Sequence, residues 1–562
     1  MSNLEVLTGV GEILEAQIIE LASINGERCN PTPEQPERYA TNRVALTAED
    51  RLAREKFIRP RMEAAGMEID DEHPMGLIGI LRGKQSDLAP LVVLSHIDTL
   101  QGGDMYDGTL GVLGGIEAVR AMRETGFMPD RDIMLISLTG EESAGYNRAV
   151  FGSRSMFQGL TPADLDSRTD PSNPSIREML SDEEIERTEQ PIFGPGRKYK
   201  LPHAVIELHV EQDSSLDREN IDLGIVEAIA APVRFSVQIG EPTDKNTAGF
   251  QPKPFASSKT IDLIVDGRAD HSGATPMGAG NRADGLAETA EFLLPILNAG
   301  HGDELGYGIS RMLIEQINID GEAMNRIPGE VSTRLRIEAD TRGKVDSLLK
   351  QFSYKVQARN NFHGISSDLF SPNALTIEKS GPNASQNLPD ASMQPNHISA
   401  LMLASRVQKI AGKYAEKGVV GTATRYRTGS GQVHLGLDIR GIDKASRDMA
   451  MADIASFSGL TKVDFGEALP GSGDPVTMDQ RLVKIMQEEI DRRRIGTSKI
   501  MVSAAVHDTQ NAARAGVPSL MVFVPSLAGG KAHHPDAYTA PLSIEKGTKT
   551  LLAFMLRMSQ NA

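Results

Sequence analysis

Histidine and carboxylate residues recur in five short polar motifs of this 562-residue chain. Imidazole and carboxylate groups are the ligands that zinc and related divalent ions take in proteins. The adjacent carboxylates of Glu141 and Glu142 would repel each other unless a cation lay between them. Any single histidine could be structural, but the five motifs together predict a metal site. The motifs are SHIDT with His96 and Asp98, GGDMYDG with Asp107, LTGEES with Glu141 and Glu142, ELHVEQ with His209, and GGKAHHPDAY with His533 and His534.

Buried strands are predicted just before four of these motifs, at 91–94, 133–138, 204–208 and 520–524. Runs rich in branched apolar residues are typical of strands covered on both faces of a parallel sheet. Residues 111–126 place apolar side chains on one face at helical spacing. This alternation predicts an α/β domain with a mostly parallel sheet and helices on both faces. Ligand sites of such sheets lie at the carboxyl ends of the strands, where the motifs fall.

Residues 230–468 are predicted to form a separate domain, inserted between the two halves of the catalytic domain at 1–229 and 469–562. A strand at 261–265 is followed by ADHSGATPM and then by a helix with apolar residues at 286, 290, 293 and 297. The segment 240–258 is rich in Pro, Gly, Lys and Thr, which indicates an insertion or an exposed loop. The inserted domain is therefore expected to be an α+β unit.

The inserted domain contains two segments that resemble each other. GEVSTRLRIEADTR at 329–342 and GQVHLGLDIRGIDK at 431–444 align without gaps at an offset of 102 residues. Four apolar or glycine positions match, and each segment precedes a helical pattern. A chance likeness between two strand–helix units and a real duplication both explain this observation.

Composition excludes several classes of protein. No window approaches 18 uninterrupted apolar residues, so a membrane span is not expected. The first residues carry Glu5 and Glu12 and lack a basic region, which predicts an amphipathic helix instead of a signal peptide. The single cysteine, Cys29, fits a reducing compartment, and a cytoplasmic location is expected. A net charge of −17 without a basic stripe disfavours nucleic acid as a partner.

The ordered motifs resemble the metal-dependent N-carbamoyl-amino-acid hydrolases and allantoate amidohydrolases, which belong to the larger aminoacylase and carboxypeptidase superfamily. The resemblance extends from about Arg43 to Tyr538, although this chain is longer than is usual for the family, mainly in the inserted domain. It implies two divalent ions, with zinc expected and manganese, cobalt or nickel as alternatives. The implied ligands are His96, Asp107 and His209 for one ion and Asp107, Glu142 and His533 for the other, with His534 left outside the set.

The resemblance also implies how catalysis proceeds. Two cations would lower the pKa of a shared water and polarise the scissile carbonyl. Glu141 would act as the general base and pass the proton to the departing nitrogen. Asp98 would accept a hydrogen bond from His96 and so fix its tautomer. His271 of DHSGATPM would stabilise the oxyanion from the inserted lid domain of a partner subunit, in a homodimer. A polar residue that caps a strand–helix turn is the alternative interpretation of His271.

Three residues are implied to bind the substrate. Gln212 and Asn325 resemble positions that donate or accept hydrogen bonds, and Arg440 of LDIRG resembles an arginine that grips a carboxylate bidentately. The chain departs from the family pattern here, because Asn325 and IPG are expected just upstream of the LDIR strand but precede the first repeat-like segment, which has Glu338 where the second has Arg440. Either the domain was enlarged with one motif in each unit, or one motif is vestigial. His507 of AVHDT either matches a further family motif or is a buried structural histidine.

The expected function is hydrolysis of a linear amide or ureido C–N bond in a small N-carbamoyl or ureido acid. An N-acyl-amino-acid amidase or a dipeptidase could use the same metals and base. A catalytically silent relative that binds or regulates is an alternative of another class, and the intact Glu141 and five ligands argue against it. The sequence does not name the substrate or the metal.

Overall fold

The computed structural model describes residues 4–33, 35–168, 172–240, 257–267, 277, 284–299, 309–319, 327–339, 341–362, 375–379, 393–466, 468 and 473–560. The chain divides into two compact units. Unit 1 comprises Met1–Ala231 and Gly473–Ala562, and unit 2 comprises Pro232–Ser472. The sequence predicts an inserted domain at 230–468, and unit 2 begins at Pro232 and ends at Ser472.

The strands, in chain order, are β1 Glu27–Arg28, β2 Tyr39–Ala40, β3 Glu68–Asp70, β4 Gly76–Leu81, β5 Leu91–His96, β6 Ile133–Leu138, β7 Ala204–Val210, β8 Leu223–Ile229, β9 Ala231–Ile239, β10 Ser257–Asp266, β11 Ile309–Ile319, β12 Glu330–Ala339, β13 Leu375–Lys379, β14 Val420–Gly429, β15 Gln432–Gly441, β16 Val463–Asp464, β17 Val476–Thr477, β18 Ser498–Ser503 and β19 Ser519–Val524.

The helices are α1 Val10–Ser23, α2 Ala48–Ala53, α3 Arg59–Ala64, α4 Thr109–Glu124, α5 Phe151–Gln158, α6 Pro162–Leu165, α7 Asp182–Thr188, α8 Ser215–Glu219, α9 Gly285–Ala299, α10 Arg342–Phe362, α11 Gln394–Lys413, α12 Lys444–Ala455, α13 Gln480–Arg493, α14 Thr509–Arg514, α15 Leu527–Gly530 and α16 Pro541–Met558. Among the described residues, no helix combines the length and the apolar character needed to span a membrane.

Unit 1 is built on a nine-stranded sheet in the order β17-β8-β19-β7-β5-β6-β4-β3, with β18 paired to β8. The central strands β6, β5, β7 and β19 run parallel, whereas β3, β4 and β17 pair antiparallel. All four strands predicted from apolar runs are present, and they form this parallel centre. The predicted α/β class with a mostly parallel sheet is confirmed.

Side chains of the central strands alternate between two hydrophobic cores. Leu91 and Val93 of β5 point into a core shared with α1, α4 and α16. Val92 and Leu94 point into a second core shared with α5 and α14. Successive residues of a strand face opposite sides of its sheet, so these strands must be apolar throughout. The sheet therefore carries helices on both faces, and only its strand ends are open to polar residues.

Unit 2 contains two four-stranded sheets of the same topology, β11-β12-β10-β13 and β14-β15-β9-β16. We name β10, α9, β11, β12, α10 and β13 the first repeat, and β9, α11, β14, β15, α12 and β16 the second repeat. Each has the order strand, helix, strand, strand, helix, strand, and in each the third strand lies beside the first. The two similar sequence segments form the equivalent strands β12 and β15. This topology favours a duplication over a chance likeness.

Candidate active site

The carboxyl ends of neighbouring strands bring the predicted metal ligands together. His96 is the last residue of β5, His209 lies at the end of β7, and Glu142 follows β6. Asp107 lies in the turn before α4, and His533 lies beyond β19. Parallel strands that end at one edge of a sheet place such residues side by side. All five side chains are buried.

Two groups of potential ligands share Asp107. His96, Asp107 and His209 offer ligand atoms that all lie within 4.8 Å of one another, and so do Asp107, Glu142 and His533. The Oδ1 atom of Asp107 lies 3.1 Å from His209 Nε2, and its Oδ2 atom lies 3.2 Å from His533 Nε2. One carboxylate with an oxygen in each group is the arrangement that a bridging ligand between two ions needs.

Backbone carbonyls orient the two histidines of the first group. His96 Nδ1 lies 3.0 Å from the carbonyl of Asp98, and His209 Nδ1 lies 3.0 Å from the carbonyl of Val210. A proton on each Nδ1 satisfies these acceptors and leaves each Nε2 to bind a metal. The two Nε2 atoms lie 3.3 Å apart. The donor set therefore fits a divalent ion held between them.

The carboxylate of Asp98 has a different contact from the one that the resemblance implied. Its nearer oxygen lies 3.6 Å from His96 Nδ1, farther than the backbone carbonyl of the same residue. Instead the carboxylate accepts hydrogen bonds from backbone N–H groups: Oδ1 from Gly140 and Glu141 at 2.9 and 3.4 Å, and Oδ2 from Glu142 at 3.1 Å. The side chain of Asp98 thus positions the loop that carries both glutamates.

Asp104 is a structural element of the site that the sequence analysis missed. Its Oδ1 atom accepts from the N–H groups of Tyr106 and Asp107, at 2.9 and 2.8 Å, and its Oδ2 atom accepts from the N–H of His533 at 3.0 Å. One carboxylate therefore ties the turn of Asp107 to the distant loop of His533. The sequence does indicate the bond from Tyr106 to Asp104, since aspartate in such a turn often accepts from the N–H two residues on.

Gly108 allows this turn to pass close to His96. Its φ of 64° lies in the left-handed region, and a Cβ there would lie 2.3 Å from His96 Nε2. Gln212 and His533 adopt left-handed φ values of 59° and 57° although they carry side chains. Such conformations cost about 1–3 kcal/mol and are concentrated at functional sites.

The electrostatics of the site call for positive charge at its centre. Burial alone would raise the pKa of Asp107, but His209 and His533 lower it well below its ordinary value. Burial alone would lower the pKa of His209, but Asp107 raises it to about 9. For His533 burial is likewise outweighed, by Glu142 and Asp107, and its pKa is about 9. Protonated His209 and His533 would place positive charge on either side of the Asp107 carboxylate, and divalent cations held by the same residues would supply that charge in their stead.

Gln212 points its amide at the shared carboxylate. Its Nε2 atom donates to both oxygens of Asp107, at 3.0 and 2.9 Å, and lies 3.5 Å from His533 Nε2. The residue is buried, so the structure places this predicted substrate-binding side chain within the ligand cluster.

Glu141 lies beside the ligand groups without belonging to either. Its Oε2 atom is 3.9 Å from His96 Nε2, and its Oε1 atom is 3.8 Å from Nδ1 of His507. His507 is fully buried, and its ring meets the ring of His209 edge-on at 4.5 Å. Burial, followed by the charge of Glu142, raises the pKa of Glu141 well above its ordinary value. The structure thus places His507 against the predicted base.

The other predicted residues belong to unit 2. Arg440 on β15 is buried, and its Nη2 atom donates to Asp438 at 2.8 Å. Arg234 on β9 also contacts that carboxylate, with its Nε atom at 3.4 Å. His271 and Asn325 lie outside the described residues. The supply of His271 by a partner subunit stays a prediction.

The sequence profile of the peptidase family M20/M25/M40 matches residues 92–557, which is most of the chain. The chain belongs to this family. The match extends from the second residue of β5 into α16 and so includes residues of both units. The family resemblance inferred from the ordered motifs is confirmed.

Curated relatives carry the names of amidohydrolases, the class of enzyme predicted for this chain. An N-carbamoyl-L-amino acid amidohydrolase of Geobacillus stearothermophilus is 30% identical over 286 residues, which cover 51% of this chain and 60% of the relative. The chain thus spans less than two thirds of that relative. A ureidoglycolate hydrolase of Arabidopsis thaliana is 24% identical over 557 residues, covering 97% of this chain and 86% of the relative.

Solved structures share the fold. The crystal structure of AtUAH in complex with (S)-hydroxyglycine has a TM-score of 0.55 at 21% identity and covers 98% of this chain and 97% of that chain. An amidase of the hydantoinase/carbamoylase family from Burkholderia vietnamiensis has a TM-score of 0.53 at 20% identity, with 98% of each chain covered. At these identities the likeness concerns the fold.

Proposed function

We propose that this chain is a metal-dependent amidohydrolase that cleaves a linear amide or ureido C–N bond in a small N-carbamoyl or ureido acid. The observation that carries the proposal is the position of Glu141. It is a buried carboxylate beside two ligand groups that share Asp107, yet it belongs to neither group. A carboxylate in that place is able to exchange protons while the other residues hold metal.

His96, Asp107 and His209 would hold one divalent ion, and Asp107, Glu142 and His533 would hold the second. Divalent ions held by these residues would lower the pKa of a bound water and polarise the carbonyl of the substrate. Imidazole and carboxylate ligands suit zinc, with manganese, cobalt and nickel as alternatives.

Glu141 accepts the proton of the attacking water and delivers it to the nitrogen that departs. Its raised pKa supports the first half of this task, because a carboxylate with higher proton affinity removes a proton more readily. Asp98 keeps the carboxylate in place through the N–H groups of residues 140–142. Nδ1 of His507 lies 3.8 Å from Oε1 of Glu141.

A substrate that bears a carboxylate fits the remaining residues. Arg440 is proposed to bind that carboxylate, since a guanidinium presents two parallel N–H donors to it. Gln212 and Asn325 are proposed to donate hydrogen bonds to the substrate, and His271 to stabilise the oxyanion. The names of the relatives, N-carbamoyl-L-amino acid amidohydrolase and ureidoglycolate hydrolase, support small acids that carry a carbamoyl or ureido group.

A hydrolysis screen of the metal-reconstituted enzyme tests this proposal. Carbamoyl, ureido, formyl and acyl derivatives of amino acids and dipeptides are compared, with the Glu141→Gln enzyme as the matched control. We expect release of product from carbamoyl or ureido acids by the unmodified enzyme alone. Hydrolysis restricted to acyl amino acids or dipeptides would replace the proposal with an amidase or a dipeptidase. No turnover of any compound by the metal-loaded enzyme would indicate a catalytically silent relative.

A further inference from the structure

The loop that carries Glu141 is held by its backbone carbonyls as well as by its N–H groups. The carbonyl of Gly140 accepts from the N–H of Phe151 at 2.8 Å. The carbonyl of Glu141 accepts from the N–H of Val150, also at 2.8 Å. The N–H groups of residues 140 and 141 donate to Asp98. Both polar groups of these two residues are therefore paired, and the position of the loop depends on residues 150 and 151 as much as on Asp98.

Val150 has an unfavourable backbone conformation. Its φ of 52° and ψ of 30° lie in the left-handed region, where a β-branched residue is a genuine outlier. Such conformations persist only where the surrounding structure holds them, and they are concentrated at functional sites. The side chain of Val150 packs with Ala149 and Val506 in a small cluster apart from the main cores. Three small side chains offer few contacts, so hydrogen bonds are needed to hold this conformation.

Asn511 on α14 supplies such a bond. Its Nδ2 atom donates to the carbonyl of Val150 and to Oγ of Ser153, each at 2.9 Å. The same carbonyl of Val150 accepts from the N–H of Arg154 at 3.1 Å, the first bond of α5. Nε2 of Gln158 lies 3.4 Å from Oδ1 of Asn511. The side chain of Asn511 is buried, so solvent does not replace a partner that is lost.

Helix α14 is also tied to the strand that carries a predicted metal ligand. The N–H and Oγ1 groups of Thr509 donate to Oε2 of Glu207, at 2.9 and 2.6 Å. Glu207 lies on β7, two residues before His209, and both residues are fully buried. Thr509 is the first residue of α14, and Asn511 is the third. Helix α14 thus connects β7 with the residue that holds the carbonyl of Glu141.

We propose that Asn511 is a positioning residue for Glu141, and that it acts through the strained backbone of Val150. The amide of Asn511 holds Val150 in the left-handed conformation, and the N–H of Val150 holds the carbonyl of Glu141. The attachment of α14 to β7 fixes these contacts relative to the predicted ligand His209. A shift of about 1 Å in a reacting group is sufficient to lower a rate by about 10²-fold. The inference rests on the proposed function, in which Glu141 is the general base.

A double-mutant cycle of Asn511→Ala and Val150→Gly tests this proposal. We expect Asn511→Ala to lower kcat by about 10- to 100-fold. Metal content and KM should stay near those of the unmodified enzyme, because Asn511 belongs to neither ligand group. Glycine adopts the left-handed conformation without steric cost, so in the Val150→Gly background the same substitution should lower kcat by less than about 3-fold.

Ser155→Ala is the matched control for a general loss of stability in α5. Ser155 is fully buried, and its Oγ atom donates to the carbonyl of Thr188 at 2.9 Å. The substitution therefore removes one buried hydrogen bond of the same helix without touching Val150 or Asn511. We expect its kcat to stay near that of the unmodified enzyme. A loss of kcat as large as that of Asn511→Ala would overturn the inference.

The inference is also overturned if Asn511→Ala lowers kcat equally in the valine and the glycine backgrounds, because the amide then acts independently of Val150. An Asn511→Ala enzyme with unchanged kcat, or one that has lost metal, contradicts it as well. If Asn511→Ala alone does not fold, a folded Asn511→Ala, Val150→Gly enzyme supports the proposal, and failure of both to fold refutes it.

Urea unfolding of the same four proteins separates these results from a failure of the proposed function. That function fails when the unmodified enzyme hydrolyses no compound of the screen. The contact between Asn511 and Val150 is then read from the unfolding midpoints alone. Asn511→Ala should lower the midpoint less in the glycine background than in the valine background, and equal shifts would show that Asn511 does not hold Val150.

Discussion

Substitution of Asp98 tests whether its carboxylate positions the loop of Glu141 or orients the imidazole of His96. The structure gives it three backbone N–H donors from residues 140–142, of which two are at 3.1 Å or less. A buried donor that loses its partner costs about 1–3 kcal/mol. At about 1 kcal/mol for each of the two or three donors, Asp98→Ala should lower the free energy of unfolding by about 2–3 kcal/mol. Because the loop of Glu141 is then free to shift, kcat should fall by about 10²-fold.

The assay compares Asp98→Ala with Asp98→Asn, which keeps the shape of the side chain and one acceptor oxygen. Urea unfolding and kcat at saturating metal should place the asparagine variant between the alanine variant and the unmodified enzyme. Binding of the ion at His96, followed by calorimetry, should stay near wild type because a backbone carbonyl fixes that imidazole. A loss of about 10- to 100-fold in that affinity, with kcat and stability unchanged, would show that the carboxylate orients His96 and refute the account.

Two further predictions concern metal and substrate. Asp107→Ala removes the residue shared by both ligand groups, so elemental analysis should find metal lost together with activity; retention of both ions would contradict the bridging role. Arg440→Lys keeps the charge but loses the planar fork, so kcat/KM should fall about 10- to 150-fold for acidic substrates and much less for their neutral amides. Glu338→Ala, at the equivalent position of the first repeat, is the control and should leave that preference unchanged; equal losses on acidic and neutral substrates would remove Arg440 from the site.

The sequence predicts the catalytic unit well because its signals are local. Strands covered on both faces are apolar throughout, and for that reason β5, β6, β7 and β19 are visible as short runs. Predicted ligands such as His96 and His209 lie at the ends of these strands. The rule that strand ends meet at one edge of the sheet then brings them together without any knowledge of loops.

Other features depend on contacts between distant parts of the chain. Asp104 accepts from the N–H of His533, and nothing local to either residue indicates that bond. The choice between the carbonyl and the carboxylate of Asp98 as acceptor for His96 depends on how the loop at residues 140–142 packs. Strands β9 and β16 pair although the whole first repeat lies between them in the chain. For this reason the sequence indicates only one strand–helix segment of the second repeat.

The most direct test of the central claim measures kcat and metal content on the same preparation of Glu141→Gln. The substitution removes the proposed general base and leaves every residue of both potential ligand groups in place. The account predicts metal content equal to that of the unmodified enzyme, together with a kcat at least about 10²-fold lower. A Glu141→Gln enzyme that retains its metal and hydrolyses substrate at the unmodified rate would contradict it.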